Sequence, residues 1–239
     1  MTVPVLTPAS RYAEPFLRHL TAGPEPGRLW ISHGKGSFGR QVAAGAEAAA
    51  RRLGLDPVLI GPGHHLPTVE TSARWSLLCA GLFEEDVEKV RRAQEMPHPP
   101  HVVCAVAAGV REFSRALASP EGVFGIAQWV PRERSPELGP GQGDFLAAYA
   151  ARTGTAPDYP AVQAAAGAVL AAHCARLANG TSRELLWSAA TELDTETLFG
   201  RFQIDARGVQ TAHETTLVRW TRRGELPELE GPWPQSSFL

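Results

Sequence analysis

Gly34-Lys35-Gly36-Ser37-Phe38-Gly39 follows the spacing G-x-G-x-x-G. It comes after the short apolar run Leu29-Trp30-Ile31-Ser32 and opens an alanine-rich stretch, Phe38 to Leu53, that Gly54 ends. A glycine-rich turn between a strand and a helix lets a pyrophosphate approach backbone N–H groups at the helix N-terminus. Dinucleotide sites also need a carboxylate after the second strand, to hold a ribose hydroxyl. The corresponding stretch here, Val58-Leu59-Ile60-Gly61-Pro62, has none, and the Walker spacing is absent. The motif therefore reads first as a tight turn where a small ligand or a second lobe can come close to the backbone. A nucleotide-dependent enzyme is the alternative it leaves.

The other reactive side chains form no set. His64-His65 and His98-Pro99-Pro100-His101 place no two imidazoles on one helical face and have no acid or thiol at ligand spacing, so they read as solvated loop histidines. Glu84-Glu85-Asp86 opens a helix and serves its dipole. Ser32-His33 has no acid partner and no nucleophile elbow. Cys79, Cys104 and Cys174 make an odd number without a CxxC pair, and Cys79 and Cys104 end apolar runs as small buried thiols do. The chain is expected to be non-catalytic, with no cofactor and no metal.

Elements alternate through the first half. Strands are expected at 29–32, 57–60, 75–79, 101–106 and 123–129. Helices are expected at 11–20, 38–53, 84–94 and 110–117, with a short run at 3–7 as a possible further strand. The break after the first helix falls at Gly23-Pro24-Glu25-Pro26-Gly27. Strand and helix in alternation imply a parallel sheet covered on both faces. Residues 131–143 read as a crossover, and three helices follow, 144–152, 159–177 and 182–191. Strands return at 198–204 and 215–220, with turns at Asp205-Ala206-Arg207-Gly208 and Arg222-Arg223-Gly224. In such a sheet, ligands bind outside the carboxyl ends of the strands. The loops there are His33 to Phe38, Cys79 to Phe83, Val106 to Gly109 and Gln128 to Pro131, small and apolar enough for a small, partly apolar solute.

Composition narrows the partners. The 239 residues carry 23 basic and 25 acidic side chains, a net charge of −2. That balance supplies no field to hold a nucleic acid or an anionic membrane. Only Lys35 and Lys89 among the basic residues are lysines, the rest being arginine. No apolar run is long enough to span a bilayer. Met1 to Leu20 has no basic start followed by an apolar stretch, which points to a cytoplasmic chain as written.

An ordered series of segments resembles the solute-binding proteins of ABC importers for branched-chain amino acids and related amides, the leucine/isoleucine/valine-binding, type I periplasmic binding protein family. Glu121-Gly122-Val123 and Gln128-Trp129 resemble the strand leading to that family's interlobe hinge. Asp144-Phe145-Leu146-Ala147-Ala148-Tyr149 with Pro157-Asp158-Tyr159 resembles its helix and "PDY" segment. Leu198-Phe199-Gly200-Arg201-Phe202, Asp205, Gly208, Val218-Arg219-Trp220 and Gly224 resemble its closing strands. Trp30-Ile31-Ser32 through Gly39 and Leu78-Cys79-Ala80-Gly81 fit its earlier part more loosely.

The resemblance implies an α/β, periplasmic-binding-protein-like fold: a parallel-sheet lobe with helices on both faces, plus a helical remnant of a second lobe. It puts 1–130 and 197–239 in the α/β lobe and 131–196 in the incomplete first lobe, because the family's opening segment has no counterpart here. It implies lobe closure on a solute, an ABC permease as partner, and a periplasmic or extracytoplasmic location if the chain is part of the exported protein. An amide or amino-acid sensor regulating gene expression in the cytoplasm is the alternative on the same fold. Helices left without their sheet are expected to drive self-association into a homo-oligomer. Ligand contacts are implied at Ser37 and Phe38, Cys79, Ala108 and Trp129. Phe38 stands where the family often has tyrosine. Ala107-Ala108-Gly109 stands where an acid often receives the ligand ammonium, which favours an amide or a less charged solute over a zwitterion.

Overall fold

Trp75-Ser76-Leu77-Leu78-Cys79-Ala80 is buried at every position, as a strand covered on both faces must be. Its alternate side chains go to opposite cores. Leu78 and Ala80 pack with Phe16, Leu17, Val42 and Ala46 on one face. Trp75, Leu77 and Cys79 pack with Val90, Ala93 and Phe113 on the other. The period of two in a strand makes this division automatic.

The computed structural model describes residues 3–23, 27–67, 73–132, 135–223 and 226–231. The chain divides into two compact units, Ala9–Ala127 with Thr215–Leu239, and Met1–Pro8 with Gln128–Glu214.

The first unit holds α1 (Glu14–Ala22), β1 (Arg28–His33), α2 (Ser37–Arg52), β2 (Pro57–Ile60), β3 (Trp75–Ala80), α3 (Phe83–Gln94), β4 (Val102–Ala105), α4 (Phe113–Ala116) and β5 (Phe124–Ala127). It closes with β8 (Thr216–Arg223) and β9 (Leu226–Glu230). These strands form one sheet in the order β2-β1-β3-β4-β5-β8-β9. The first five are parallel, and β8 and β9 join antiparallel. The chain is thus a mixed α/β protein with a mostly parallel sheet. The expected helix at 110–117 shrinks to α4, because Val110 is extended (φ −123°, ψ 152°) and cuts it from a 3-10 turn at Ala107–Gly109.

The second unit holds α5 (Gln142–Thr153), α6 (Tyr159–Leu177), α7 (Arg183–Glu192) and the antiparallel hairpin of β6 (Asp194–Thr197) and β7 (Gly200–Gln203). Asp158 and Ser182 cap α6 and α7 with their side-chain oxygens. Here α6, apolar around its whole circumference, buries one stripe, Val162, Ala166, Leu170 and Cys174. The single strand expected at 198–204 is a hairpin turning at Leu198-Phe199. Its first arm was hidden because it buries threonines, Thr195 and Thr197, rather than apolar residues.

The unit boundaries differ from the expected division at 130/131 and 196/197. Residues 1–8, 128–130 and 197–214 go with the helices. The Thr7 N–H donates to Gln128 Oε1 at 3.2 Å, and Thr7 Oγ1 lies 2.7 Å from Nδ1 of His213. Leu198, Phe199 and Trp129 share a core with Val162 and Ala166. Residues 3–7 carry no strand. The break expected at 23–27 and the turn at 222–224 fall in part outside the described residues.

Candidate functional site

β1 connects to β2 on one side of it, and β2 then connects to β3 on the other, so the order reverses between β1 and β3. At such a switch point the loops diverge and leave a crevice outside the carboxyl ends of the strands. Three loops meet the sheet edge there: residues 34–36 after β1, 81–82 after β3 and 106–109 after β4. The fourth loop expected at this edge, Gln128 to Pro131, belongs to the helical unit.

The glycine motif has structural causes. A Cβ at Gly39 would run into the carbonyl of Ala80, so only glycine lets the first turn of α2 lie this close to β3. A Cβ at Gly34 would run into the Glu85 carboxylate, and the Gly34 N–H already donates to the Ala80 carbonyl at 3.3 Å. A carboxylate set against Gly34 repels a pyrophosphate drawn to the same turn.

The acidic start of α3 divides its labour. Glu84 is exposed. Glu85 Oε2 accepts the Leu82 N–H at 2.8 Å, which caps the helix. Asp86 is buried and turns inward. Its Oδ1 accepts the Gly81 N–H at 2.6 Å and its Oδ2 the Ala107 N–H at 3.0 Å. One carboxylate thus fastens the loops after β3 and β4 together. Burial pushes its pKa up to about 7, although the N–H groups of Ala107, Gly81 and Val106 pull the other way. Sequence reading treated the three acids alike. The signal that separates them is position: Asp86 stands four residues before the buried Val90 on one face of α3.

The five residues singled out from the sequence are not brought together. Ser37 and Phe38 are exposed at the start of α2, and the Phe38 ring stands edge-on to Tyr12, centroids 5.3 Å apart. Cys79 is sealed in the core, and burial drives its thiol pKa well up. Ala108 is equally enclosed, and its carbonyl accepts the Trp220 indole N–H at 3.0 Å. These two can offer a solute no side-chain surface. Trp129 lies in the other unit, its indole N–H donating to the Leu198 carbonyl at 3.0 Å.

Beside this edge, on the face of the sheet that carries α3, opens a cleft of about 220 Å³. Ser32 and His33 from β1, Lys35, His64, Glu85 and Lys89 are among its walls. Among the described residues no group of His, Cys, Asp or Glu converges as a metal would require, and no helix is long and apolar enough to cross a membrane.

An open, mostly parallel sheet with a crevice at its switch point, joined by two antiparallel strands, is an α/β lobe that can seat a small ligand outside the carboxyl ends of its strands. The sequence pattern of the periplasmic binding protein family matches residues 83–225, more than half of the chain, and the chain belongs to that family. No curated protein sequence matches it. Among solved structures it is similar to a leucine binding protein from Thermotoga maritima, at 12% identity and a TM-score of 0.67, over 91% of this chain and 65% of that one. It is likewise similar to an ABC transporter substrate-binding protein from Desulfitobacterium hafniense in complex with Leu, at 16% identity and a TM-score of 0.67, over 93% and 65%. An extracellular ligand-binding receptor from Rhodopseudomonas palustris aligns at 12% identity and a TM-score of 0.72, over 96% and 70%. The chain spans less than two thirds of the length of the first two. At these identities the likeness speaks for the fold.

Proposed function

We propose that the chain is the solute-binding component of an ABC importer for branched-chain amino acids or related amides, and that it catalyses nothing. The observation that carries this reading is the family match over residues 83–225, which takes in α3, β4, β5 and β8 and, of the loops at the carboxyl edge, the turn after β4. The leucine complex of the Desulfitobacterium relative supports the solute class. Ser37 and Phe38, exposed at that edge, are the side chains that meet the solute. Cys79 and Ala108 contribute through the shape of their loops. The α/β unit stands for the family's second lobe and the helical unit for part of its first.

Within that class an amide fits better than a zwitterion. The turn after β4, Ala107-Ala108-Gly109, carries no carboxylate, and Asp86 beside it is occupied by backbone N–H groups. An ammonium taken from water into such a turn would lack its counter-charge. The same observation favours, as a second reading, a cytoplasmic amide sensor that regulates gene expression. Genes for an ATPase and permeases beside this one support the importer, and a neighbouring amidase or regulator supports the sensor. Calorimetric titration of the chain with leucine, acetamide and NAD tests the solute class. Heat of binding with acetamide, or more weakly with leucine, is expected. Heat with NAD alone overturns the reading.

A further inference from the structure

Among the described residues Asp86 is the only buried carboxylate, 2% exposed. No cation there answers its charge. Lys89, three residues on along α3, gives its ammonium to the His64 carbonyl at 3.0 Å, and Arg91 and Arg92 go to Glu88. A buried carboxylate without a counter-ion depends on hydrogen-bond donors alone. The Gly81 N–H at 2.6 Å and the Ala107 N–H at 3.0 Å supply them, one to each oxygen.

That arrangement suits one protonation state. As a carboxylate, Asp86 accepts on both oxygens, through bonds about twice as strong as neutral ones. As a carboxylic acid it keeps one full acceptor, and its hydroxyl becomes a donor set against an N–H. Both bonds weaken, and one of the loops after β3 and β4 loses most of its hold. Burial works against the carboxylate, and the neighbouring Glu85 charge adds to it, so the acid form is reached near neutral pH, with the pKa raised to about 7.

The other titratable groups around Asp86 do not fasten these loops together. Cys79 of β3 and Cys104 of β4 are thiols that burial keeps protonated. Glu85 is tied to the Leu82 N–H. The turn Ala107–Gly109 has no titratable side chain. Lys35, His33 and His64 line the cleft that Asp86 also borders, and none of them is bonded to Gly81 or Ala107.

We propose that Asp86 couples solute affinity to pH: ionised, it fixes the loops after β3 and β4 in the arrangement that receives the solute, and protonated, it frees one of them and the solute is held weakly. The coupling rests on the assignment of the solute to the carboxyl edge of the sheet. It is reciprocal, so a solute that needs both loops in place drives the proton off Asp86. With only the ionised form competent, the apparent affinity follows the ionised fraction and falls about tenfold between pH 8 and pH 6.

Acetamide itself does not titrate between pH 6 and pH 8, so its calorimetric titration reads the chain. The dissociation constant is expected to rise about tenfold from pH 8 to pH 6, with a proton released on binding at pH 7. Glu85→Gln keeps a capping side chain and removes the neighbouring charge, so the midpoint should move to lower pH. Asp86→Asn should bind weakly at every pH, without the slope. The Asp86 carboxyl carbon, followed by ¹³C NMR in the unaltered chain, should titrate at lower pH when acetamide is saturating. Equal affinity at pH 6 and pH 8, a slope that survives in Asp86→Asn as histidine titration would give, or a carboxyl midpoint unmoved by acetamide overturns the coupling and leaves the solute reading standing. No saturable heat with acetamide or leucine at any pH overturns both.

Discussion

Asp86 Oδ2 accepts the backbone N–H of Ala107 at 3.0 Å, so a side chain in the first turn of α3 holds the turn that follows β4. With its other oxygen on Gly81, Asp86 fixes two of the loops at the carboxyl edge relative to each other. Loops that carry a binding site must be positioned by rigid elements, and a fully enclosed carboxylate with opposed N–H partners does this without bulk.

That enclosure makes stability depend on pH. The folded-state pKa of Asp86 is raised from the ordinary 3.8 to about 7 by burial. Between those values the folded chain binds more protons than the unfolded one, so its contribution to stability is present below the unfolded pKa and is lost as pH rises through about 7. The change amounts to about 4 kcal/mol over the window. Urea unfolding at pH 5 and pH 8 should show the chain less stable at the higher pH. Asp86→Asn, which does not titrate, should flatten this slope while losing about 1–3 kcal/mol at pH 5 from an N–H left without its acceptor.

Gly39→Ala forces a methyl group against the Ala80 carbonyl. Both groups belong to packed backbone, so α2 must shift, at a cost of about 1–3 kcal/mol. Thermal unfolding should show the loss, and Gly36→Ala, where no atom crowds the added carbon, should show much less.

Trp220→Phe keeps the ring stacked near Phe113 but removes the indole N–H from the Ala108 carbonyl. The carbonyl is then buried without a partner, and chemical denaturation should register a loss of about 1–3 kcal/mol. An unchanged midpoint would mean that this bond does not hold the 107–109 turn.

Phe38→Ala separates binding from folding. The ring is exposed apart from its edge contact with Tyr12, so stability should fall by only about 1 kcal/mol. Affinity for acetamide should fall about tenfold if the ring forms part of the solute contact. Calorimetry beside thermal unfolding reads both.

Much of the fold is legible in the residues. Leu29-Trp30-Ile31-Ser32 and Pro57 to Ile60 read as short strands and Trp75 to Cys79 as a strand buried on both faces because it is continuously apolar, and they correspond to β1, β2 and β3. Tyr159 to Leu177 declares its own start with Asp158 and Pro160. The β6 arm is silent because Thr195 and Thr197 are buried through hydrogen bonds rather than apolar area, Thr195 on Glu137 and Thr197 on the Gly200 carbonyl. The site is harder to read than the sheet. Burial of Cys79 and Ala108 depends on which helices cover β3 and the 107–109 turn, which is long-range information. The inward turn of Asp86 depends on Gly81 and Ala107, on either side of it in sequence.

Amide mapping with acetamide tests the central claim most directly. With the chain labelled uniformly with ¹⁵N, saturating acetamide is expected to shift the backbone amides of Ser37, Phe38, Ala107 and Ala108 at the carboxyl edge of the sheet. Shifts confined to the amino edge, around Asp56 and Trp75, or no saturable shift with either acetamide or leucine, would contradict it.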